Sequence, residues 1–202
     1  MKSMKTFCIG VLTAFAAVAL TGCELFGLSY AYDYKQEHGA DFGTLSCDAM
    51  AWIEEHKGGE FALQYEAIVR SGMEAVYRDS VYTFFVMKDD VWDAWLTSYK
   101  YSSIAEVPVK TLRTYLQRSI IPGKYLSTDI SAPVFVETLD PTVTMRLYKT
   151  IVSATSSQNL NGLRAGWTND NGKINQVSMI TSNLQPTNGA LHVQSARFTF
   201  LQ

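Results

Sequence analysis

Apolar residues follow two different spacings along this chain, and the change between them constrains the fold more than any single residue does. Phe61, Tyr65, Ile68 and Val69 recur at i, i+4, i+7 and i+8, which is the period of a helix with these residues on its apolar face. From residue 143 the period becomes two, because Val143, Met145 and Leu147 alternate with side chains that carry a polar group. Helices that precede strands along one chain predict the α+β class. At 202 residues the chain fits one such domain and a targeting segment.

The first half of the chain predicts four helices and one buried strand. They are a helix capped by Thr44 or Ser46 and ending at Gly58-Gly59, a helix from Phe61 to a stop at Gly72, a strand over residues 81–87, a helix starting at Asp89-Asp90, and a helix opened by Pro108. On the last two, the stripes over residues 92–99 and 109–116 are expected to face the core.

The second half predicts turns and strands. Residues 120–123 predict a turn, residues 153–162 a loop, and Asn171-Gly172 a hairpin between two strands. Trp167 lies beside that hairpin, where exposure to solvent is favoured, whereas Trp92 and Trp95 lie on a helical stripe.

The N-terminus predicts targeting rather than fold. Lys2 and Lys5 precede residues 6–20, an apolar run without charge that is shorter than the about 20 residues needed to span a bilayer. The sequence Leu20-Thr21-Gly22-Cys23 that follows resembles the lipobox of bacterial lipoproteins, in which the cysteine receives a diacylglycerol. The alternative is an ordinary signal peptide that ends near a cysteine.

This lipobox resemblance implies a division of the chain into three parts. Residues 1–22 would be a lipoprotein signal peptide, residues 23–43 a lipid-anchored tether, and residues 44–202 the domain. Cys23 would carry the lipid and anchor the protein to the membrane. Glu24, rather than Asp, follows it, which favours the outer membrane of a bacterial cell envelope by analogy with known sorting rules. A short docked strand over residues 30–34 is the alternative to a free tether.

Charge and cysteine content exclude further classes. Removal of residues 1–22, which hold two lysines and no acid, lowers the formal net charge from −2 to −4, and this argues against a nucleic-acid partner. Cys47 would be the sole free thiol once Cys23 is acylated, so no intrachain disulfide is expected. Its apolar helical surroundings predict a buried, inert cysteine.

Two stretches resemble the two signatures of fasciclin (FAS1) domains. Residues 82–92, Y-T-F-F-V-M-K-D-D-V-W, are similar to a T-V-F-A-P-T strand that runs into a helix starting D/N-E-A-F. Residues 187–193, T-N-G-A-L-H-V, are similar to T-N-G-V-I-H-V. Between them, residues 112–128 resemble the helix, V-P-G-x-Y turn and strand of the family. The resemblance spans about residues 44–202.

The resemblance implies a FAS1-like fold, in which N-terminal helices pack on a β-rich wedge or sandwich. The strand at residues 83–86 and the final strand at residues 191–200 would then share one β-structure. The structural residues carried over from the two signatures are Thr83, Phe85, Asp89, Asn188, Gly189 and His192.

The chain departs from the family pattern at two places. Val86-Met87-Lys88 stands where the family has A-P-T, and Arg118-Ser119 stands where many members have Tyr-His. Because that Tyr-His pair is implicated in integrin-type adhesion in animal members, this partner is not carried over.

Motifs of catalysis are absent from the sequence. There is no G-x-S-x-G, H-E-x-x-H, phosphate-binding Gly loop or Cys-x-x-Cys, so no enzyme activity, cofactor or metal is expected. His192 is interpreted as a packed, hydrogen-bonded residue rather than a metal ligand or proton carrier, since no second ligand lies at ligand spacing.

The sequence therefore predicts a lipid-anchored binding or adhesion module that recognises an unknown protein or carbohydrate. The alternative is a structural accessory lipoprotein of an envelope complex, such as a glycan-uptake system.

Overall fold

A computed structural model describes residues 43–149, 162–168 and 174–200. The predicted signal peptide, Cys23, the predicted strand alternative at residues 30–34 and the predicted Asn171-Gly172 turn lie outside the described residues. The same holds for nearly all of the predicted tether and of the predicted 153–162 loop. The helices are α1 (Ala49–His56), α2 (Ala62–Ser71), α3 (Glu74–Asp79), α4 (Asp89–Ser98) and α5 (Val109–Arg118), with a 3₁₀ turn at Ile104–Glu106. The strands are β1 (Tyr82–Val86), β2 (Ile120–Pro122), β3 (Val134–Glu137), β4 (Thr144–Lys149), β5 (Leu163–Thr168), β6 (Ile174–Leu184) and β7 (Gly189–Gln194).

The strands form one mixed sheet in the order β2-β1-β7-β6-β5-β4-β3. β1 and β7 pair in parallel, with Thr83 opposite Ala190 and Phe85 opposite His192, and the other pairs are antiparallel. The two signature stretches are therefore neighbouring strands, which confirms that they share one β-structure. The final strand runs from Gly189 to Gln194, however, and not over the predicted residues 191–200. The α+β class is confirmed by the same architecture.

β6 connects two parts of this sheet. Its residues 174–178 pair with β5, whereas residues 179–184 pair with β7 through two register shifts. Asn183 has a φ of 65° in this second part, a left-handed conformation that Asn tolerates better than most residues. At the far ends, the Leu139 N–H donates to the Ile120 carbonyl at 2.9 Å, so the chain after β3 contacts β2. The sheet is thus bent along β6 and its two edges approach each other.

The core is one buried apolar cluster that takes residues from all five helices and from strands β1, β2 and β4–β7. Trp92, Trp95 and Tyr115 are fully buried and contact one another with ring centroids 5.3–5.7 Å apart. Tyr77 of α3 stacks on Phe84 of β1 at 4.8 Å and joins helix to sheet. Burying each such ring contributes about 1.5–3 kcal/mol to folding, so the helical Trp stripe is core, as expected.

Several boundaries differ from the sequence predictions. Asp48, not Thr44 or Ser46, caps α1, and its carboxylate accepts from the Ala51 N–H at 2.7 Å. Residues 120–122 form strand β2 rather than a turn, because they pair with β1, and the turn comes at Gly123. Helix α3 was not anticipated.

Exposure also corrects four expectations. Val69 and Val109 lie at the edges of their helical stripes and are exposed. Trp167 is only 5% exposed, because Phe198 and Phe200 cover its ring at 5.1 and 4.9 Å between centroids. Cys47 is half-buried rather than buried.

The Cys47 thiol is nevertheless expected to react slowly as a nucleophile. Burial, followed by the carboxylates of Glu55 and Asp48, raises the pKa of its thiol. Because the thiolate is the reactive form, a raised pKa lowers reactivity.

No helix within the described ranges is both long and apolar enough to cross a bilayer.

Candidate functional site

Asn188 joins the start of β7 to the start of α1. Its Oδ1 accepts from the Ala49 N–H at 2.9 Å, and its Nδ2 donates to the Tyr77 carbonyl at 2.9 Å. The residue is 8% exposed. Its amide is therefore engaged with three parts of the backbone, since Nδ2 also lies 3.4 Å from the Ser80 carbonyl.

His192 and Thr83 bind the backbone of the segment that follows β2. His192 Nδ1 accepts from the Asn183 N–H at 3.2 Å, so the ring proton is on Nε2, which donates to the Tyr125 carbonyl at 2.9 Å. Thr83 Oγ1 donates to the Gly123 carbonyl and accepts from the Tyr125 N–H. Complete burial lowers the pKa of His192 to about 4, against a smaller opposing effect of the Tyr125 carbonyl. The ring is thus neutral at ordinary pH.

The other signature residues have structural contacts as well. Phe85 stacks on His192 with centroids 5.5 Å apart. The Asp89 carboxylate accepts from the Ala62 and Leu63 N–H groups at 3.2 and 2.9 Å, so it caps α2 in addition to starting α4. Gly189 has a φ of 145°, and a Cβ there would lie 1.8 Å from the Tyr82 carbonyl oxygen. These contacts hold the fold and leave no side chain of the set directed to a ligand.

Arg118 stands where many FAS1 members have Tyr, and it is also committed to the fold. Its Nε donates to the Asp140 carboxylate at 2.7 Å, and its Nη1 donates to the Phe200 carbonyl at 3.0 Å. Burial raises the pKa of Asp140, but hydrogen bonds from Thr142 and Arg118 outweigh it and hold that pKa below its usual range. The guanidinium therefore ties the C-terminal segment to the β3–β4 connection.

A different surface carries side chains that the fold does not use. On strands β3–β6, alternate residues such as Met145, Leu147 and Ala165 are fully buried, and the residues between them point to the opposite side. We call this opposite side the outer face. It consists of Phe135, Glu137, Thr144, Arg146, Tyr148, Arg164, Gly166, Thr168, Ile174, Gln176 and Ser178.

Arg146 lies at the centre of the outer face between two aromatic rings. Its guanidinium carbon is 4.6 Å from the Tyr148 ring centroid and 6.0 Å from that of Phe135. The Tyr148 ring leans over Gly166, where an added Cβ would lie 3.8 Å from Cε1, and its hydroxyl donates to Gln176 Oε1. A cation held between rings is attracted by their negative faces, so Arg146 is pre-positioned.

Two depressions flank this central arginine. The first has a volume of about 300 Å³ and is lined by Phe135, Thr144, Gly166, Thr168 and Ile174. The second has a volume of about 450 Å³ and extends from Tyr148 and Lys149 to Ser131 and Pro133. Arg146 lines both. Together they make a shallow trough across the strands.

The trough is cationic although the chain as a whole has a net charge of −2. Arg146 and Arg164 lie on the outer face and Lys149 lines its second depression, against one outer-face carboxylate, Glu137. Within residues 43–149, 162–168 and 174–200, none of these three cations forms an ion pair. The same ranges contain no group of three or more His, Cys, Asp or Glu residues that could hold a metal ion.

Comparisons with known proteins give matches among solved structures and none in sequence. No family model matches the chain, and no curated protein matches it. Among solved structures, it is similar to a FAS1 domain pair from the insect cell adhesion molecule fasciclin I, at 11% identity and a TM-score of 0.43. The match covers 75% of this chain and 45% of that chain. The chain thus spans less than half the length of that domain pair.

The outer face was missed by sequence reasoning, although one signal was present. The alternation over residues 143–148 predicted a half-buried strand, which is confirmed, and no binding role was predicted for its polar positions. Those positions hold Arg146 and Tyr148, large side chains typical of recognition surfaces. Only the strand register brings Phe135 opposite Arg146.

Proposed function

We propose that this protein is a FAS1-type binding module, held to the bacterial cell envelope by lipid on Cys23, that binds its ligand through the outer face. The observation that carries the proposal is the Phe135–Arg146–Tyr148 cluster, in which Phe135 is exposed to solvent and Arg146 and Tyr148 are half-buried. Phe135 is 68% exposed, and exposure of a large apolar ring to water is unfavourable. Covering such a ring with a ligand stabilises a complex by about 1.5–3 kcal/mol.

The chemistry of the outer face supports binding rather than catalysis. It presents rings, guanidinium groups, hydroxyls, an amide and, among the described residues, one carboxylate, that of Glu137, and these groups supply contact area and hydrogen bonds. Catalysis by acid, base or nucleophile needs such groups within hydrogen-bond reach of one another. His192, the buried histidine of the second signature, has both ring nitrogens engaged with backbone.

The ligand-binding part of the proposal is tested by substitution on the outer face. Phe135→Ala and Arg146→Ala, made in the full-length protein, should each reduce capture of ligand from glycan arrays and envelope extracts at least tenfold, because aromatic and Arg anchors dominate recognition surfaces. Thr97→Ala, on the exposed side of α4, is the control and should change nothing. Undiminished capture by both outer-face variants would contradict the proposal.

The anchor is tested separately. Cys23→Ala should move the protein from the membrane pellet to the soluble fraction, because acyl chains supply about 0.8 kcal/mol of membrane affinity per buried methylene. Cys47→Ala should stay in the pellet. Retention of Cys23→Ala with the membrane would show that the anchor is elsewhere. An outer-membrane destination predicts that the wild-type protein fractionates with outer-membrane markers.

A further inference from the structure

We infer that the ligand of the outer face is an acidic glycan, in which sugar carboxylates pair with Arg146 and Arg164 while sugar rings stack on Phe135. This inference rests on the proposed function, because it names the ligand class of the same surface.

The charge of the outer face selects an anion. No described carboxylate pairs with the Arg146 guanidinium. Its Nε is shielded from solvent and has no hydrogen-bond partner among the described residues. Arg164 lies opposite Tyr148 on β5, the strand next to β4, so the outer face carries a second guanidinium on the strand adjacent to that of Arg146. Two uncompensated guanidinium groups suit carboxylates, which accept two parallel hydrogen bonds from one arginine.

The remaining side chains favour a sugar over an acidic peptide. Thr144, Thr168, Gln176 and Ser178 give the outer face neutral hydrogen-bonding groups, whereas protein interfaces concentrate apolar residues at their centre. Gly166, beneath the Tyr148 ring, lines the first depression without a side chain of its own. The four strands span three spacings of about 4.8 Å, roughly 14 Å in total, which is enough for a short oligosaccharide.

Pairing of a peptide with the sheet edge is also restricted. β3, the edge strand, has only four residues, and Pro133 directly precedes it. Short edge strands and flanking prolines limit backbone pairing with another chain. An acidic peptide would therefore depend on side-chain contacts alone.

The test measures binding of galacturonate hexasaccharide to the full-length protein in detergent by calorimetry. The matched probe is the methyl-esterified hexasaccharide, which keeps the sugar rings and loses the charges. We expect the acid form to bind at least tenfold more tightly, and added salt to weaken it. Arg146→Gln should weaken binding of the acid form at least tenfold, and Phe135→Ala should weaken both forms. Lys110→Gln, which removes one positive charge from the exposed side of α5, should have no effect on binding.

Each contrary outcome has a distinct meaning. Equal affinity for the acid and ester forms, absence of binding, or tighter binding of a glutamate hexapeptide would overturn the acidic-glycan inference. If Phe135→Ala still impairs capture from envelope extracts in those cases, the proposed function stands with another ligand. Hexasaccharide binding that neither Arg146→Gln nor Phe135→Ala changes would overturn the assignment of the outer face itself. Arg164→Gln provides a second variant should Arg146→Gln fail to match the wild-type melting temperature.

Discussion

Asn188 caps a helix that begins 139 residues earlier in the chain, because its side-chain oxygen accepts a hydrogen bond from the Ala49 N–H at 2.9 Å. The same amide donates to the Tyr77 carbonyl. The signature asparagine thereby connects α1, the end of α3 and the entry to β7. Its backbone carbonyl also accepts from the Tyr82 N–H at the start of β1.

Asn188→Ala should lower the free energy of unfolding by about 2–4 kcal/mol, because it leaves buried backbone groups without partners. Chemical denaturation at pH 7 measures the change. Thr97→Ala is the control and should stay within about 0.5 kcal/mol of wild type. A loss for Asn188→Ala as small as that of the control would show that water replaces the amide without cost.

Gly189→Ala should destabilise the protein by on the order of 4 kcal/mol or more, or prevent soluble expression. Its φ of 145° is unfavourable for any other residue, and the added Cβ would lie 1.8 Å from the Tyr82 carbonyl oxygen. Gly58→Ala is the matched control, since nothing lies within 4 Å of a Cβ at that position. Thermal unfolding of the two variants should differ clearly, and similar melting temperatures would contradict this account of β1–β7 packing.

Stability should fall on acidification partly through His192. Its pKa is 6.5 when unfolded and about 4 in the fold, so the unfolded state binds more protons between these values. The contribution is complete above pH 6.5 and decreases as pH falls toward 4, by roughly 3 kcal/mol. His192→Gln should be less stable at pH 7 yet lose less stability between pH 7 and 4. Parallel pH profiles of wild type and variant, from denaturant titrations, would rule out this linkage.

Arg118→Ala should lower the free energy of unfolding by about 2 kcal/mol and raise the pKa of Asp140. The reason is that the mostly buried guanidinium donates a hydrogen bond to that carboxylate. The pKa of Asp140 is lower in the folded state than in the unfolded state. The ionised carboxylate therefore stabilises the fold at pH values above the unfolded-state pKa, and this stabilisation is lost as the pH falls through the folded-state pKa. NMR titration of the carboxyl carbon measures the pKa. Lys110→Gln, a distant charge loss, is the control, and an unchanged Asp140 pKa in Arg118→Ala would exclude the coupling.

What the sequence determined by itself is the local order. Helix and strand periods depend on residues three, four or two positions apart, so the buried stripe with Trp92 and Trp95 and the alternating strand β4 were predictable. Gly72 ends α2 in the left-handed conformation, as a glycine stop predicts. The pairing of the two signatures was predictable only through resemblance to FAS1 domains.

Tertiary structure decided which distant groups meet. Trp167 is buried because Phe198 and Phe200 return to cover it, and residues 120–122 become a strand because β1 offers them a partner. The outer face arises in the same way, since the β3–β4 register sets Phe135 beside Arg146. Local spacing fixes which side of a strand a residue occupies, but its neighbour across the sheet depends on register, which is selected by burial of the opposite face.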